Sequence, residues 1–336
     1  AKHVRSGDER RSPWPFRVAA RTNIPREEYS SNVVGALMLF DELDRLGLGD
    51  VDAYRHARAI ALSWLLRVPM KNDAWSGYFE DIDIHLDPAE NPNQYSALRT
   101  ARWLMLHPGD DPAWRDHVSH LLSWTERVFG GDTATERGTQ WGATVLSEQA
   151  DDTVKMGSHT ARFGATSALW FRVTGNVRAR EQAARSLNWA TYMCRADGVV
   201  SVGEDANEGW WFSDGYGDYI RHFLVAMAAV PDWAPAREDH LLSSTSVVRA
   251  IRYTPAQIAW TTFDADAVET LRLVDRPRSV AASGHNLAEM SPKRGLIGEG
   301  FTIEDLAGGG VLLRVRHRTR GEVVVTLKGR ALSKRR

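Results

Sequence analysis

The chain has 336 residues, with 42 Lys and Arg against 43 Asp and Glu and a formal net charge of -1. That balance leaves no general basic field to draw in nucleic acid, and no apolar run reaches the roughly 18 residues of a membrane span. The single cysteine, Cys194, excludes an intrachain disulfide and any cysteine-based zinc site.

The length suits one large domain followed by a smaller one. Residues 1–27 are polar and punctuated by proline, with Trp14-Pro15-Phe16 as an apolar clip, and are expected to be an extended lead-in packed on the body. A start at Ala1 without Met fits a trimmed or processed chain, which leaves the location open with a slight preference for secreted or periplasmic. The basic tail, Lys328, Arg330, Lys334, Arg335 and Arg336, reads as a solvated end.

Helical periodicity begins with Val33, Ala36, Leu37, Phe40, Leu43 and Leu46 at i, i+3, i+4 spacing, and Gly47 and Gly49 close it. Asp50 or Asp52 can cap a second helix carrying Tyr54, Ala57, Ala61, Trp64, Leu65 and Val68 inward. A third helix carries Tyr95, Leu98, Ala101 and Met105. A fourth carries Trp114, Val118, Leu121, Leu122, Thr125 and Val128. The fifth holds Ala161, Ala165, Ala168 and Leu169 and stops at Gly175. The sixth holds Ala183, Leu187, Ala190 and Cys194, with the cysteine in its apolar seam. A seventh follows Gly215, with Tyr219, Ile220, Phe223 and Met227 inward, and stops at Pro231.

The helices pair into hairpins that recur about every 64 residues. Connections within hairpins are short, whereas those between them, 70–92, 130–157 and 195–215, are long. Helices joined by short turns run antiparallel, so the three long connections are expected at one end of the array, where long loops usually carry function. From Ser246 the pattern changes to short β-rich runs around Val248, Ile251, Ile258, Trp260, Val268, Leu271, Val311–Val315 and Val323–Val325. These predict a small antiparallel β-sandwich over 241–336 after a helical catalytic domain over 1–240.

Each long connection carries acids and a tryptophan. The first holds Trp75, Tyr78, Glu80, Asp81, Asp83, His85 and Asp87; the second holds Asp132, Trp141, Glu148, Asp151 and Asp152. The third sets Glu204, Asp205, Glu208, Asp214 and Asp218 around Trp210, Trp211 and Tyr216. The helix starts behind them add Asn93, Gln94 and Tyr95, then Ser158, His159 and Arg162. The first hairpin supplies Tyr29, Ser31 and Asn32 in the equivalent place. Flat aromatics can stack on the C–H face of a sugar while carboxylates and amides bind its hydroxyls.

Glycoside hydrolysis needs two carboxyl groups, one protonated and one ionised. Glu80 or Asp81 against Asp214 or Glu208 form the candidate pair, in a cleft lined by Trp75, Tyr78, Trp141, Trp210, Trp211 and Asp218. A lyase acting on uronates would instead use a Tyr or His base with Asn, Gln or Arg neutralising the carboxylate. Tyr95, Asn93, His159, Arg162 and Tyr216 supply that set, with Gln94 a substrate-binding candidate beside them. A non-catalytic glycan-binding protein is the third reading. Any one of these carboxylates taken alone reads as a helix cap before a catalyst, and Trp75 or Trp141 taken alone as loop packing; the case rests on convergence across the three connections. The alternation Asp81, Asp83, His85, Asp87 could hold calcium, although a half-buried strand with one polar face is the reading taken, with no cofactor or metal assigned.

Repeated helical hairpins, acidic-aromatic loops and a C-terminal β domain together resemble the α/α-toroid carbohydrate-active enzymes, both glycoside hydrolases and polysaccharide lyases. The resemblance implies a mainly α fold, an incomplete toroid followed by a β-sandwich, and an oligo- or polysaccharide substrate. Open toroids with this appendage look more like the lyase group. An acid-rich cleft would repel a polyanion, which places hydrolysis ahead of elimination at this stage.

Overall fold

In a computed structural model of the chain, residues 1–76, 92–130, 142–150, 155–194 and 213–328 are described, residues 213–218 by backbone alone. They fall into two compact units, Ala1–His222 and Phe223–Arg336. Among the described residues, no helix is long and apolar enough to cross a membrane.

The lead-in carries a small antiparallel ladder of β1 (Arg17–Val18) and β2 (Pro25–Glu27). It is pinned to the helices where Trp64 Nε1 donates to Asp8 O at 3.0 Å and Trp14 tilts against Phe40 at 5.8 Å. The helices follow as α1 (Val34–Leu46), α2 (Val51–Arg67), the single turn α3 (Pro69–Asn72), α4 (Gln94–Leu106), α5 (Trp114–Phe129), α6 (Gly157–Thr174), α7 (Val177–Thr191) and α8 (Ser213–Ala229). Local chemistry sets their ends. Asp50 caps α2 by accepting from Ala53 N at 3.1 Å, Asn176 caps α7 through Ala179 N at 3.1 Å, and Gly47 and Gly175 close α1 and α6 in the left-handed region.

Neighbouring helices pack as hairpins, α1 with α2, α4 with α5 and α6 with α7, and the first members also touch in series, α1 on α4 and α4 on α6. Helix α6 is buried without a break from Gly157 to Trp170. Its Gly, Ala, Ser and Thr residues let surrounding helices approach closely. A Cβ on Gly164 would stand 2.8 Å from Leu187 Cγ and 3.3 Å from Ala183 O. Neither atom is a flexible tip, so Gly164→Val should destabilise the chain by about 3 kcal/mol, at the upper end of overpacking costs. Urea unfolding checks this against Gly109→Ala, where a Cβ meets nothing within 4 Å; equal midpoints would refute it.

Two expectations are corrected. Cys194 lies beyond the end of α7 and is exposed, because the helix stops at Thr191 before the seam reaches it. Ile220 is 55% exposed, while Tyr219 and His222 are buried at 5% and 4%. The inward stripe of α8 therefore runs through 219 and 222, and a polar residue took the place hydrophobicity had assigned to a neighbour.

In the second unit, one sheet has the order β3 (His240–Ser244), β6 (Asp266–Leu273), β10 (Val311–Arg318), β9 (Gly300–Asp305). The other has the order β4 (Val248–Tyr253), β5 (Gln257–Thr262), β11 (Val323–Thr326), β7 (Ser279–Ala282), β8 (His285–Asn286), and both are antiparallel. Strands from both contribute to one apolar cluster, including Trp260, Leu271, Val280, Ile303, Leu313 and Val325. Three fully buried polar side chains sit in the first sheet. His317 Nε2 lies 3.1 Å from Glu269 Oε2, and Arg272 donates to Pro235 O at 3.1 Å and Gly309 O at 2.9 Å.

Candidate functional site

The flanks of the first two long connections are hydrogen-bonded to each other and to the segment before α1. Asn93 N donates to Trp75 O at 2.7 Å, Ala150 N to Pro92 O at 3.2 Å, and Ser31 N to Ser76 O at 2.9 Å. Asn93 and Gln149 form a bridge. Leu146 N donates to Thr160 Oγ1 at 3.0 Å, which ties the second connection to the start of α6. The starts of α4 and α6 thus share one end of the unit, while residues 195–212 of the third long connection lie outside the described residues.

At that end a buried triad joins two helices. Arg162 Nη1 donates to His159 Nδ1 at 2.9 Å and to Gln94 Oε1 at 3.3 Å, and Gln94 Nε2 lies 2.8 Å from the same His159 nitrogen. A guanidinium can only donate, so Nδ1 must keep its lone pair and a neutral His159 carries its proton on Nε2. That nitrogen is 3.5 Å from Glu148 Oε1. Protonating Nδ1 would set two donors against each other. His159 Nδ1 is therefore taken up by Arg162 and Gln94, and the nitrogen that faces Glu148 is Nε2.

The braced guanidinium lies over the Tyr95 ring, 4.7 Å from its centroid. Arg99, one turn along α4, donates from Nη1 to Tyr95 Oη at 3.0 Å and to Asn32 Oδ1 at 3.3 Å. Because Arg99 donates, the proton of Tyr95 Oη has to point elsewhere. Space for Arg99 comes from α1, where a Cβ on Gly35 would stand 3.1 Å from Arg99 Nη2.

Around this lie further basic side chains. His222 is buried, and burial, then Arg162, Arg221, Arg102 and His159, push its imidazole down to about 2, so it is neutral at any working pH. The guanidinium of Arg102 is lowered first by burial and then by Arg221, Arg172 and Arg99. Arg221 is lowered by burial, Arg162 and Arg99, against an upward pull from Tyr95.

Of the residues expected from sequence, Tyr95, Gln94, His159 and Arg162 meet. Asn93 sits beside them as the cap of α4, its Oδ1 accepting from Tyr95 N at 2.5 Å. Trp75 is 0% exposed and packs in the helical core, so it has no face to offer a sugar. Tyr78, Glu80, Asp81, Trp141, Glu208, Trp210 and Trp211 lie outside the described residues, as do Asp83 and the calcium assignment with it. Asp214, Tyr216 and Asp218 fall in the first turns of α8, described by backbone only. Arg99, Arg102, Arg221 and His222 were missed. The signal was present on α4, where Tyr95, Arg99 and Arg102 stand at i, i+4, i+7 and form one stripe.

No family model and no curated protein matches the chain. Among solved structures, a glycoside hydrolase family 76 mannosidase from Bacteroides thetaiotaomicron VPI-5482 is similar, with a TM-score of 0.36 and 10% sequence identity. The match covers 60% of this chain and 58% of that one, less than two thirds of its length. A similarity of that size assigns neither an activity nor a mechanism.

Proposed function

We propose that this protein cleaves an acidic glycan by β-elimination at the N-terminal ends of α4 and α6. The helical unit is taken as an incomplete α/α toroid and the strand-rich unit as a β-sandwich. The observation that carries the proposal is Tyr95 held between two guanidinium groups, Arg162 over its ring and Arg99 on its hydroxyl.

A uronate carboxylate drawn to Arg162, Arg99 and Asn32 would have its charge neutralised, which acidifies the adjacent C5–H. Tyr95 Oη would take the C5 proton as its own proton passes to the leaving O4. The C5–H and C4–O bonds break, the C4=C5 bond forms, and the tyrosine ends protonated as it began. Arg162 would meanwhile stabilise the developing negative charge from a position that the Gln94–His159 brace has already fixed. This reverses the preference for hydrolysis, since the described side chains around Tyr95 are cationic rather than acidic.

Hydrolysis by a carboxylate pair is the second reading, favoured by Glu148 Oε1 at 3.5 Å from His159 Nε2. Incubation with polygalacturonate, alginate, hyaluronan and neutral mannan separates the two through the ultraviolet absorbance of the products. An unsaturated uronate chromophore from an acidic polymer is expected. New reducing ends without it would move the assignment to hydrolysis, and no cleavage at all would leave a binding protein.

A further inference from the structure

We infer that Glu148 is a positioning residue for the site at Tyr95: its carboxylate holds the far edge of the His159 ring and, through that ring, sets the guanidinium of Arg162 over Tyr95. The inference rests on the elimination reading for what Arg162 does there, while the contact itself can be tested without any substrate.

The segment that carries Glu148 is fixed on both sides. Before it, Leu146 N donates to Thr160 Oγ1 at 3.0 Å, Met156 N to Leu146 O at 2.9 Å, and Ser147 N to Phe129 O at 3.1 Å. After it, Gln149 bridges to Asn93, and Ala150 N donates to Pro92 O at 3.2 Å. These bonds tie residues 146–150 to the end of α5, the start of α6 and the start of α4. A side chain on so constrained a stretch is delivered to one place before any substrate arrives.

That place is beside His159. Glu148 Oε1 lies 3.5 Å from His159 Nε2, with 14% of the Glu148 side chain and 6% of the His159 side chain exposed. Helix α6 starts after Met156 with no side-chain cap, so Glu148 does not take the capping role that an acid ahead of a helix ordinarily has. Among the described residues its ion-pair partner is His159 and not Arg162. The carboxylate reaches the guanidinium only through the imidazole.

The other edge of the ring explains what this does. Nδ1 accepts from Arg162 Nη1 at 2.9 Å and lies 2.8 Å from Gln94 Nε2. An acceptor at Nδ1 requires the proton on Nε2. A carboxylate facing that proton holds the ring in its plane and draws the proton outward, which makes Nδ1 a stronger acceptor for Arg162. A direct Glu–Arg pair would also orient the guanidinium, but it would neutralise the charge that a uronate carboxylate has to meet. With the imidazole between them, Arg162 is set 4.7 Å from the centroid of the Tyr95 ring without Glu148 taking up its charge.

Two near-isosteric variants separate contact from charge. Glu148→Gln keeps an oxygen at the same reach and loses the charge, whereas Glu148→Asp keeps the charge and withdraws it by one methylene, about 1.5 Å. Histidine-labelled protein is read by long-range proton–nitrogen NMR, with His159→Gln identifying the ring. The wild type should show His159 protonated on Nε2, Glu148→Gln should keep that signature, and Glu148→Asp should move the Nδ1 resonance toward a weaker acceptor. On an acidic glycan, Glu148→Asp should lower kcat about thirtyfold with KM within about threefold, and Glu148→Gln should stay within about threefold of the wild type. Loss of turnover in Glu148→Gln with the His159 spectrum unchanged would make Glu148 an acid or base in its own right and overturn the positioning role. A Glu148→Asp variant indistinguishable from the wild type in both readouts would overturn it as well. If the spectra respond as expected but the wild type forms no unsaturated product from any acidic polymer, the Glu148–His159–Arg162 arrangement stands and the elimination chemistry falls.

Discussion

Tyr95→Phe should lower turnover of an acidic glycan about a thousandfold, within the range expected for loss of a positioned proton-transfer group. The substitution removes one oxygen and leaves the ring under Arg162 at its 4.7 Å separation. Arg99 loses its acceptor on Tyr95 but keeps Asn32 Oδ1 at 3.3 Å, so a fall in rate would not reflect a collapsed site. Substrate binding should change little, because the carboxylate is held by the guanidinium groups.

His159→Gln separates bracing from chemistry. Glutamine keeps an acceptor for Arg162, so the effect should be smaller and divided between KM and kcat, whereas a catalytic base would lose nearly all its turnover. Thermal melts of both variants show whether the fold is intact. Tyr95→Phe turning over within about threefold of the wild type would remove the hydroxyl from the reaction.

The second large effect lies in the strand-rich unit. Glu269→Ala should destabilise it by about 3 kcal/mol near pH 6, because the buried His317 loses its carboxylate partner and must either stay charged alone or give up its proton. Both side chains are fully buried, Nε2 lies 3.1 Å from Oε2, and Ser244 Oγ donates to the other carboxylate oxygen at 2.9 Å. Burial works against the imidazolium, but the hydrogen bond and charge of Glu269, then the Thr319 backbone and Glu299, outweigh it and raise the His317 pKa overall.

A group whose folded pKa is raised contributes stability that is fully present below its ordinary value, roughly 6.5, and is lost as pH rises through the folded value. The wild type should therefore lose stability on going from about pH 6 into the alkaline range, and Glu269→Gln should flatten that slope. Calorimetric melts across that range measure both, and a wild type with no such decline would remove the charged pair from the account of stability.

Much of the helical unit was legible in the sequence. Asp50, Gly47 and Gly175 mark helix ends through interactions within a few residues, and the 3.6-residue period of Leu98, Ala101 and Met105 names the core face of α4. The same local logic found the strands around Ile258, Leu271 and Leu313 but passed over the short ones at 279–282 and 300–305. Alternation needs several residues to register, and those runs owe their pairing to neighbours distant in the chain.

The site around Tyr95 was less legible. Gln94, Tyr95, His159 and Arg162 were marked by their places at helix starts, a consequence of chain order alone. Arg99, Arg102 and His222 were not among the residues expected at the site. Sequence by itself determined where most of the helices begin and end, which side of most of them is apolar, and that the flanks of the first two long connections share one end. Only the tertiary structure decided that one polar face of α4 turns toward α6 and α8. Helical period depends on residues three and four apart, whereas Arg162 meets Gln94 and Arg99 meets Asn32 across 68 and 67 residues of chain.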